Sequence, residues 1–481
     1  MTGPASSSSA TSPAIPLSMA ERNVPRYTSY PTAPHFHAGI NAATYAQWLK
    51  ALPHDARLSL YLHVPYCHSI CLYCGCHTKA VRRFDPIKAY TRHLMREVEM
   101  IGALVPQRKV THWHWGGGTP SIIGPALMRE VVAKVRDHFD LTALQEHAIE
   151  LDPRHLDDEM IAALTDCGIN RVSLGVQDFA PHVQEAIGRI QPFEQVRDVV
   201  TRLRKAGIAN INIDLMYGLP LQTIDDVRTS ARLAASLSPQ RLALFGYAHV
   251  PWFKSHQKVI NEADLPGVSE RIVQADAAAQ IFTTAGYDSI GLDHFARPED
   301  DLAIAAREQR LHRNFQGYTT DEADALLGLG ASSISRLPQG HVQNAVDMGS
   351  YGRAIAGGRL ATIKGLAFSD DDKLRGAIIE RLMCDMRVDL DAFACATKAQ
   401  MLLDGARLRL DELEQAGIVT REGHVISMTK HGRALTRLAA AAFDAWLGKS
   451  APAQKGAASS GAPQNPADKM AAKPARHSRA V

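Results

Sequence analysis

The stretch YLHVPYCHSICLYCGC, Tyr61 to Cys76, decides how the rest of this chain is read. Cys67, Cys71 and Cys74 stand at C-x3-C-x2-C spacing, and Cys76 follows two positions later. Thiolates are the ligands of iron–sulfur clusters, and a four-iron cube takes one ligand per iron. Three cysteines within eight residues hold three corners and leave one iron open to bind a small molecule and pass it an electron. A zinc site could draw on the same cysteines plus His68 or His77, but zinc ligands usually come as two separated pairs, and no second pair follows. Disulfides fit poorly with a long, cysteine-poor chain that shows no secretory signal. Cys167, Cys384 and Cys395 are isolated and read as buried small hydrophobes.

The cysteine loop follows an apolar run, Leu58 to Val64, stopped by Pro65. That run reads as the first of six strands. The others are expected at Val110–Trp115, His147–Leu151, Arg171–Val176, Asn210–Met216 and Arg241–Tyr247. Helical periods fall between them near Pro125–Phe139, Leu156–Thr165, Glu194–Lys205 and Ile224–Leu237. After the cysteine loop, Asp85 and Pro86 look like an N-cap and first helical residue. Ile87, Tyr90, Leu94, Val98 and Ile101 then recur at helical spacing. Strands alternating with helices in units of about thirty residues make a parallel α/β sheet with crossover helices, here a partial barrel of six units.

In such barrels the reactive groups sit at the carboxyl ends of the strands. The unusual polar residues all fall there. The cysteine loop follows the first strand, and Gly116, Gly117, Gly118 and Thr119 follow the second. Glu150 and Asp152 end the third, Gln177 and Asp178 the fourth, Asp214 lies late in the fifth, and Ala248 and His249 follow the sixth. A triple glycine is by itself a tight turn. At a strand end its bare amides can also approach an anionic group such as a carboxylate.

Composition bounds the reading. The chain has 481 residues, 46% of them hydrophobic, enough for a large barrel and a smaller domain. No apolar run reaches the length of a membrane span. The net charge is +3, too small to point to nucleic acid. From Lys449 to Val481 six Lys/Arg face one acid, a balance of +5, so the rest of the chain is about −2. Residues 1–20 read as a disordered arm without a signal peptide's features, and 449–481 as a low-complexity basic tail. Between them, 21–56 is taken as an N-terminal extension contacting the site, 57–365 as the barrel domain, and 366–448 as a mostly helical, winged-helix-like domain. With no concentrated basic face, that last domain is expected to wall the barrel mouth rather than bind DNA.

The cysteine motif, with aromatic Tyr73 before its third cysteine, resembles that of radical S-adenosylmethionine (SAM) enzymes. Further segments make the chain similar to the oxygen-independent coproporphyrinogen III dehydrogenase family: PRYTSYPTA, HWGGGTP, IELDPR, SLGVQDF, NIDLMYGLP, YAHVP, GLDHFARP and LHRNFQGYTT. The resemblance covers nearly everything between residue 25 and Lys449, and the last residues, HSRAV, look like the family's own chain end displaced by an insertion.

The resemblance implies a radical SAM barrel in which Cys67, Cys71 and Cys74 hold one 4Fe–4S cluster. It implies two SAM molecules. The first chelates the open iron and is lined by Tyr61, Gly117, Glu150, Ala248 and Ile334. The second meets Tyr73, Gly118, Thr119, Gln177, Arg189 and Asp214. Phe315 and Gln316 lie close to both. A 5′-deoxyadenosyl radical would then convert two propionates of coproporphyrinogen III to vinyl groups. The family usually has Phe where Tyr73 stands, and Asn where Gly246 stands. Cationic groups should meet the substrate's four carboxylates. Arg26 and Arg313 are the first candidates, with Lys79, Arg82 and Arg83 behind them.

Cys76 and LHRNFQGYTT set the chain apart from heme chaperones of the same superfamily, which usually carry Phe at that cysteine and lack the second segment. The chaperone reading is kept as the alternative, and a heme-opening radical enzyme fits less well. Cys76 is assigned a place beside the substrate or cluster rather than as a ligand. A cytoplasmic monomer is expected, reduced by an electron donor such as a flavodoxin or ferredoxin system.

Overall fold

The computed structural model describes residues 16–449 and Ala480. Strand β1 (Leu58–Val64) is buried at every position but Tyr61, the mark of a central strand covered on both faces. It is followed by β2 (Val110–Gly117), β3 (Glu146–Leu151), β4 (Arg171–Gln177), β5 (Asn210–Tyr217) and β6 (Arg241–Gly246). The six lie side by side in chain order and are parallel throughout. Crossover helices span Phe84–Leu104, Pro125–His138, Asp158–Asp166, Phe193–Lys205 and Ile224–Ser236, within one or two residues of the positions read from the sequence. Five apolar residues of the first, Ile87, Tyr90, Leu94, Val98 and Ile101, are buried, as their spacing requires. That helix starts at Phe84 with Arg83 as N-cap, so Asp85 is not the cap; it lies in the first turn, where its charge still favours the helix dipole.

The sheet is wider than six strands. Ala325–Leu329 adds a seventh parallel strand on the free edge of β1. Antiparallel strands extend both sides, giving twelve in all among the described residues. The additions are short, and Ala325–Leu329 (ALLGL) has no crossover helix directly before it, so no periodic signal announces them.

Alternation along the strands divides the barrel wall. Trp113, Trp115, Ile149, Val172, Leu174, Ile211 and Ile213 face outward into the core beneath the helices. The residues between them, among them His114, Glu146, Glu150, Arg171, Ser173, Asn212 and Asp214, line the interior.

The C-terminal part builds helices Asp370–Asp385 and Ala396–Gln415 and a three-stranded sheet of Arg387–Asp389, Val425–Met428 and Val419–Glu422. Gly417 and Gly423 both take positive φ, 67° and 59°, at the turns that follow Ala396–Gln415 and join Val419–Glu422 to Val425–Met428. This part has its own hydrophobic cluster, which also takes in Met19, Ala20, Val24, Tyr27 and Tyr30. The expected arm of residues 1–20 is corrected accordingly: Leu17–Ala20 forms a helical turn with Met19 and Ala20 buried, and residues 1–15 lie outside the described residues. The same holds at the other end. Residues 450–479 and Val481 lie outside the description, but Ala480 is only 3% exposed within this cluster, and its carbonyl accepts from Arg437 Nη1 at 3.4 Å. Cys167 and Cys384 are buried as expected; Cys395 is exposed, at the N-cap of Ala396–Gln415. Among the described residues no helix is long and apolar enough to cross a membrane.

Candidate active site

β1 runs out at Pro65, and the cysteine loop folds back over the end of the barrel. Its return is fixed by backbone bonds from Lys79 N to Pro65 O (2.9 Å) and from Val81 N to Cys67 O (3.0 Å), and its middle by Leu72 N to Ile187 O (2.9 Å). Each of the three sulfurs has a polar partner. Cys67 Sγ lies 3.3 Å from Thr78 Oγ1 and accepts from Thr119 Oγ1 at 3.5 Å. Cys71 Sγ accepts from Arg189 Nη1 at 3.5 Å and from Arg154 Nη2 at 3.8 Å. Cys74 Sγ accepts from the Cys76 amide at 3.4 Å. The Cys76 thiol also turns on Cys74 and, against burial, holds it down to about 6, while Cys76 itself is pushed up by that contact and by burial. Burial raises Cys67, with Thr119 and Thr78 opposing.

This donor set fits a cube. Each sulfur has a hydrogen-bond donor and Cys71 has two guanidiniums beside it, the polar surroundings that ligating sulfurs need. Among the described residues no three His, Cys, Asp or Glu side chains are gathered as ligands of one ion would be. The thiolates of a cube sit on separate irons and stand wider apart than that.

The triple glycine is required by crowding. A Cβ on Gly117, whose φ is 111°, would come within 2.6 Å of the His63 ring, and one on Gly118 within 2.4 Å of the Tyr66 carbonyl. Neither neighbour can retreat: Tyr66 O accepts from Thr119 N at 2.8 Å, and His63 is fixed between Tyr61 Oη (2.9 Å) and His77 O (3.1 Å). Glu150 takes the Gly117 amide at 3.2 Å and faces His114 Nε2 at 3.3 Å.

Two adjoining cavities occupy the barrel end. The first, about 390 Å³, is lined by Cys67, Cys71, Cys74, Tyr73, Cys76, Gly117, Gly118, Thr119, Gln177, Arg189 and Asp214. The second, about 410 Å³, is lined by Tyr61, Ile334 and residues 25–29 and 32–34 of the N-terminal segment; Arg26, one of these, donates from Nη2 to Gly246 O at 3.2 Å. Glu150, Phe315 and Gln316 face both. Phe315 and Gln316 form the tip of a hairpin whose strands are His312–Asn314 and Gly317–Thr319. Helix Asp370–Asp385 holds that hairpin through Glu380, which accepts from Arg313 N at 3.2 Å, and through Arg381, which donates to Leu311 O.

Inside the first cavity the charges are sharply differentiated. Asp214 is raised to about 6 by burial, although Ser173 Oγ and Asn212 Nδ2 donate to it at 2.8 and 2.7 Å. Asp152 is held down to about 2 against burial by Arg154 (2.7 Å) and Arg189 (3.2 Å). Arg189 also donates to the Gly175 carbonyl, yet its Nε is buried without a hydrogen-bond partner, as is Asn212 Oδ1. These two atoms belong to side chains that line the cavity, and they suit a ligand bearing a carboxylate and hydroxyls.

Five expected residues are not brought to either cavity. Ala248 lines neither; its carbonyl is taken by Gln257 Nε2 at 3.3 Å. Arg313 is turned into the protein, over the Tyr318 ring at 4.4 Å and 4.0 Å from Asp293. Lys79, Arg82 and Arg83 are exposed on the outside of the cysteine loop. Sequence reasoning missed Arg154, Ser173, Asn212 and His294. The first three were open to discovery: Arg154 closes IELDPR, while Ser173 and Asn212 stand two residues before inward-facing Gly175 and Asp214 on their strands. His294 lies in the short strand His294–Ala296, which nothing in the periodicity marks.

Comparison with known proteins agrees with this geometry. Residues 61–234 match the family model of the radical SAM superfamily. The oxygen-independent coproporphyrinogen III oxidase of Bradyrhizobium diazoefficiens is 50% identical over 437 residues, covering 90% of this chain and 97% of the relative. That of Paracoccus denitrificans is 41% identical over 89% of this chain and 96% of its own length. Among solved structures, the coproporphyrinogen III oxidase of Escherichia coli, described as a radical SAM enzyme, superposes with a TM-score of 0.83 at 35% identity, over 88% of this chain and 97% of its own. Identity at this level over nine-tenths of the chain places it in the oxygen-independent coproporphyrinogen III oxidase family of radical SAM enzymes.

Proposed function

We propose that this chain catalyses the anaerobic oxidative decarboxylation of coproporphyrinogen III to protoporphyrinogen IX, a step of heme biosynthesis. Each of two propionates, CH2–CH2–COO−, becomes a vinyl group with loss of carbon dioxide, one hydrogen atom and one electron. Three hydrogen-bonded cysteine sulfurs at the mouth of a polar barrel are the observation that carries this reading. A 4Fe–4S cluster with SAM on its open iron supplies a one-electron cleavage that yields a hydrogen-abstracting carbon radical.

The chain's own residues bind and orient. Cys67, Cys71 and Cys74 would hold three irons, with Arg189 and Arg154 offsetting the charge of Cys71. Gly117, with Glu150, Tyr61 and Ile334, would receive the first SAM. Arg189, through its unpartnered Nε, would take the carboxylate of a second SAM, and Asp214 with Asn212 its hydroxyls or ammonium; Tyr73, Gly118, Thr119 and Gln177 complete that wall. Arg26, which lines the second cavity, would turn from Gly246 O to take a substrate carboxylate. Phe315 and Gln316 would separate the cofactors from the substrate and keep water out. Cys76, which lines the first cavity without being a cluster ligand, would stand beside the bound cofactors or substrate. The protein is taken as a cytoplasmic monomer served by a small electron-donor protein, with all seven of its cysteines free.

The test is anaerobic reconstitution with iron and sulfide, then incubation with SAM, reductant and coproporphyrinogen III, and chromatography of the porphyrins. Protoporphyrinogen IX with 5′-deoxyadenosine is the expected outcome. Heme bound without SAM cleavage would instead favour the chaperone.

A further inference from the structure

The outside of the cysteine loop carries a feature that neither cavity uses. After β6 the chain runs through a loop, residues 248–260, that lies on the cysteine loop and grips its backbone. Lys254 Nζ donates to Cys76 O at 2.8 Å, Gln257 Nε2 to Tyr73 O at 2.9 Å, and His256 Nε2 meets Cys74 O at 2.7 Å. The Phe253 ring stands edge-on to His77 at 6.0 Å. The outer surface of this loop is apolar to an unusual degree: Trp252 is 55% exposed, Phe253 64% and Val259 70%.

Charge on the two segments is one-sided. Residues 61–84 and 246–261 contain Lys79, Arg82, Arg83, Lys254 and Lys258 and no Asp or Glu, in a chain whose net charge is only +3. Lys79, Arg82, Arg83 and Lys258 are exposed, and none of them forms an ion pair among the described residues. Exposed aromatics and cations on the same two segments have the composition of a protein interface, and the excess of positive charge on those segments selects an acidic partner. The second cavity is lined by residues 25–29 and 32–34 and by Phe315 and Gln316, and borders this region at His77, while Trp252, Phe253 and Lys258 line neither cavity.

We propose that this basic, aromatic lip is the docking surface for a small acidic one-electron carrier protein that reduces the cluster. The inference rests on the radical reading above, in which every SAM cleavage consumes one electron from outside. The loop that carries Trp252, Phe253 and Lys258 is bonded directly to the Tyr73, Cys74 and Cys76 carbonyls, so a carrier seated on it would stand against the cysteine loop. Oppositely charged surfaces raise the encounter rate and make it fall with salt.

Phe253→Ser and Lys258→Glu, singly and combined, test this in the full, anaerobically reconstituted protein. The readouts are the rate of cluster bleaching on mixing with reduced flavodoxin, used as the acidic carrier, the same rate with dithionite, and flavodoxin affinity without turnover. The double variant should lose about tenfold or more in flavodoxin-driven reduction and in affinity. The wild-type rate should fall with added salt, and dithionite-driven reduction and SAM cleavage should stay unchanged. Unaltered flavodoxin kinetics would overturn the proposal. So would an equal loss with dithionite accompanied by a raised KM for coproporphyrinogen III, which would give the lip to the substrate. A wild-type protein that dithionite cannot drive to cleave SAM would remove the radical reading, and the docking surface with it.

Discussion

The two ends of one barrel interior use the same residue types for opposite purposes. At the amino-terminal ends of the strands, Glu146, Arg171, Arg241 and Asp300 form a closed square. Arg171 pairs with Glu146 at 2.7 Å and Asp300 at 3.6 Å, and Arg241 with Asp300 at 2.8 Å and Glu146 at 3.5 Å. Four residues further along β3, and four along from the β5 residue level with Arg171, Glu150 and Asp214 have no Lys or Arg among their hydrogen-bond partners; Glu150 has His114 instead. Protonation follows. Against burial, Arg241 and Arg171 hold Glu146 down to about 2, whereas burial lifts Asp214 to about 6. Charges satisfied by each other close the floor. Charges left to face a cavity make a binding site.

Removing Cys71 breaks the rim most completely. Cys71→Ser should reduce SAM cleavage to background and abolish the cluster's visible absorbance, while the chemical denaturation midpoint of the apoprotein stays close to wild type. On the floor, Arg241→Met leaves Glu146 and Asp300 buried with one cation between them. It should cost about 3–5 kcal/mol in denaturant unfolding, because the carboxylates lose their compensation. Any residual activity per folded molecule should be near normal.

Asp214→Asn sharpens the contrast. At pH 7 it should leave stability unchanged or raise it by about 1 kcal/mol, since it removes a carboxylate that burial disfavours. SAM affinity, read by equilibrium dialysis, should weaken about tenfold or more with the loss of a charged acceptor. The two carboxylates should also respond oppositely to pH. A depressed group such as Glu146 contributes stability above its unfolded value, about 4.5, and loses it as pH falls toward 2. A raised group such as Asp214 contributes stability when protonated and loses it as pH rises from about 3.8 to about 6. The smallest expected effect is therefore in the difference curves: the deficit of Glu146→Gln should shrink below pH 4, and any gain of Asp214→Asn should disappear there. Matching pH profiles for the two variants would erase the distinction between floor and rim.

Much of this was legible in the sequence, for a physical reason. β1 to β6 are buried on both faces or alternate cleanly, and their helices carry unbroken apolar stripes, so period alone finds them. The cysteine loop is legible because ligand spacing is a local property. What escaped depends on contacts made far along the chain. Arg313 and Phe315 share one hairpin, but only the Tyr318 ring and Asp293 decide that the arginine turns away from the cavity. Ala325–Leu329 is five residues long, and its place beside β1 is set by pairing rather than by pattern. Met19 and Ala20 follow a Ser- and Pro-rich stretch and read as part of it; their burial depends on a cluster built by residues 378–443. Ala480 is hidden in the same way, beyond a low-complexity run.

If Cys67, Cys71 and Cys74 hold a cube whose remaining iron is free for SAM, electron paramagnetic resonance of the reduced, reconstituted protein will show it. The expected spectrum is a reduced 4Fe–4S signal whose g values shift when SAM is added, absent from Cys71→Ser. A signal indifferent to SAM, or one that survives in Cys71→Ser, would contradict it.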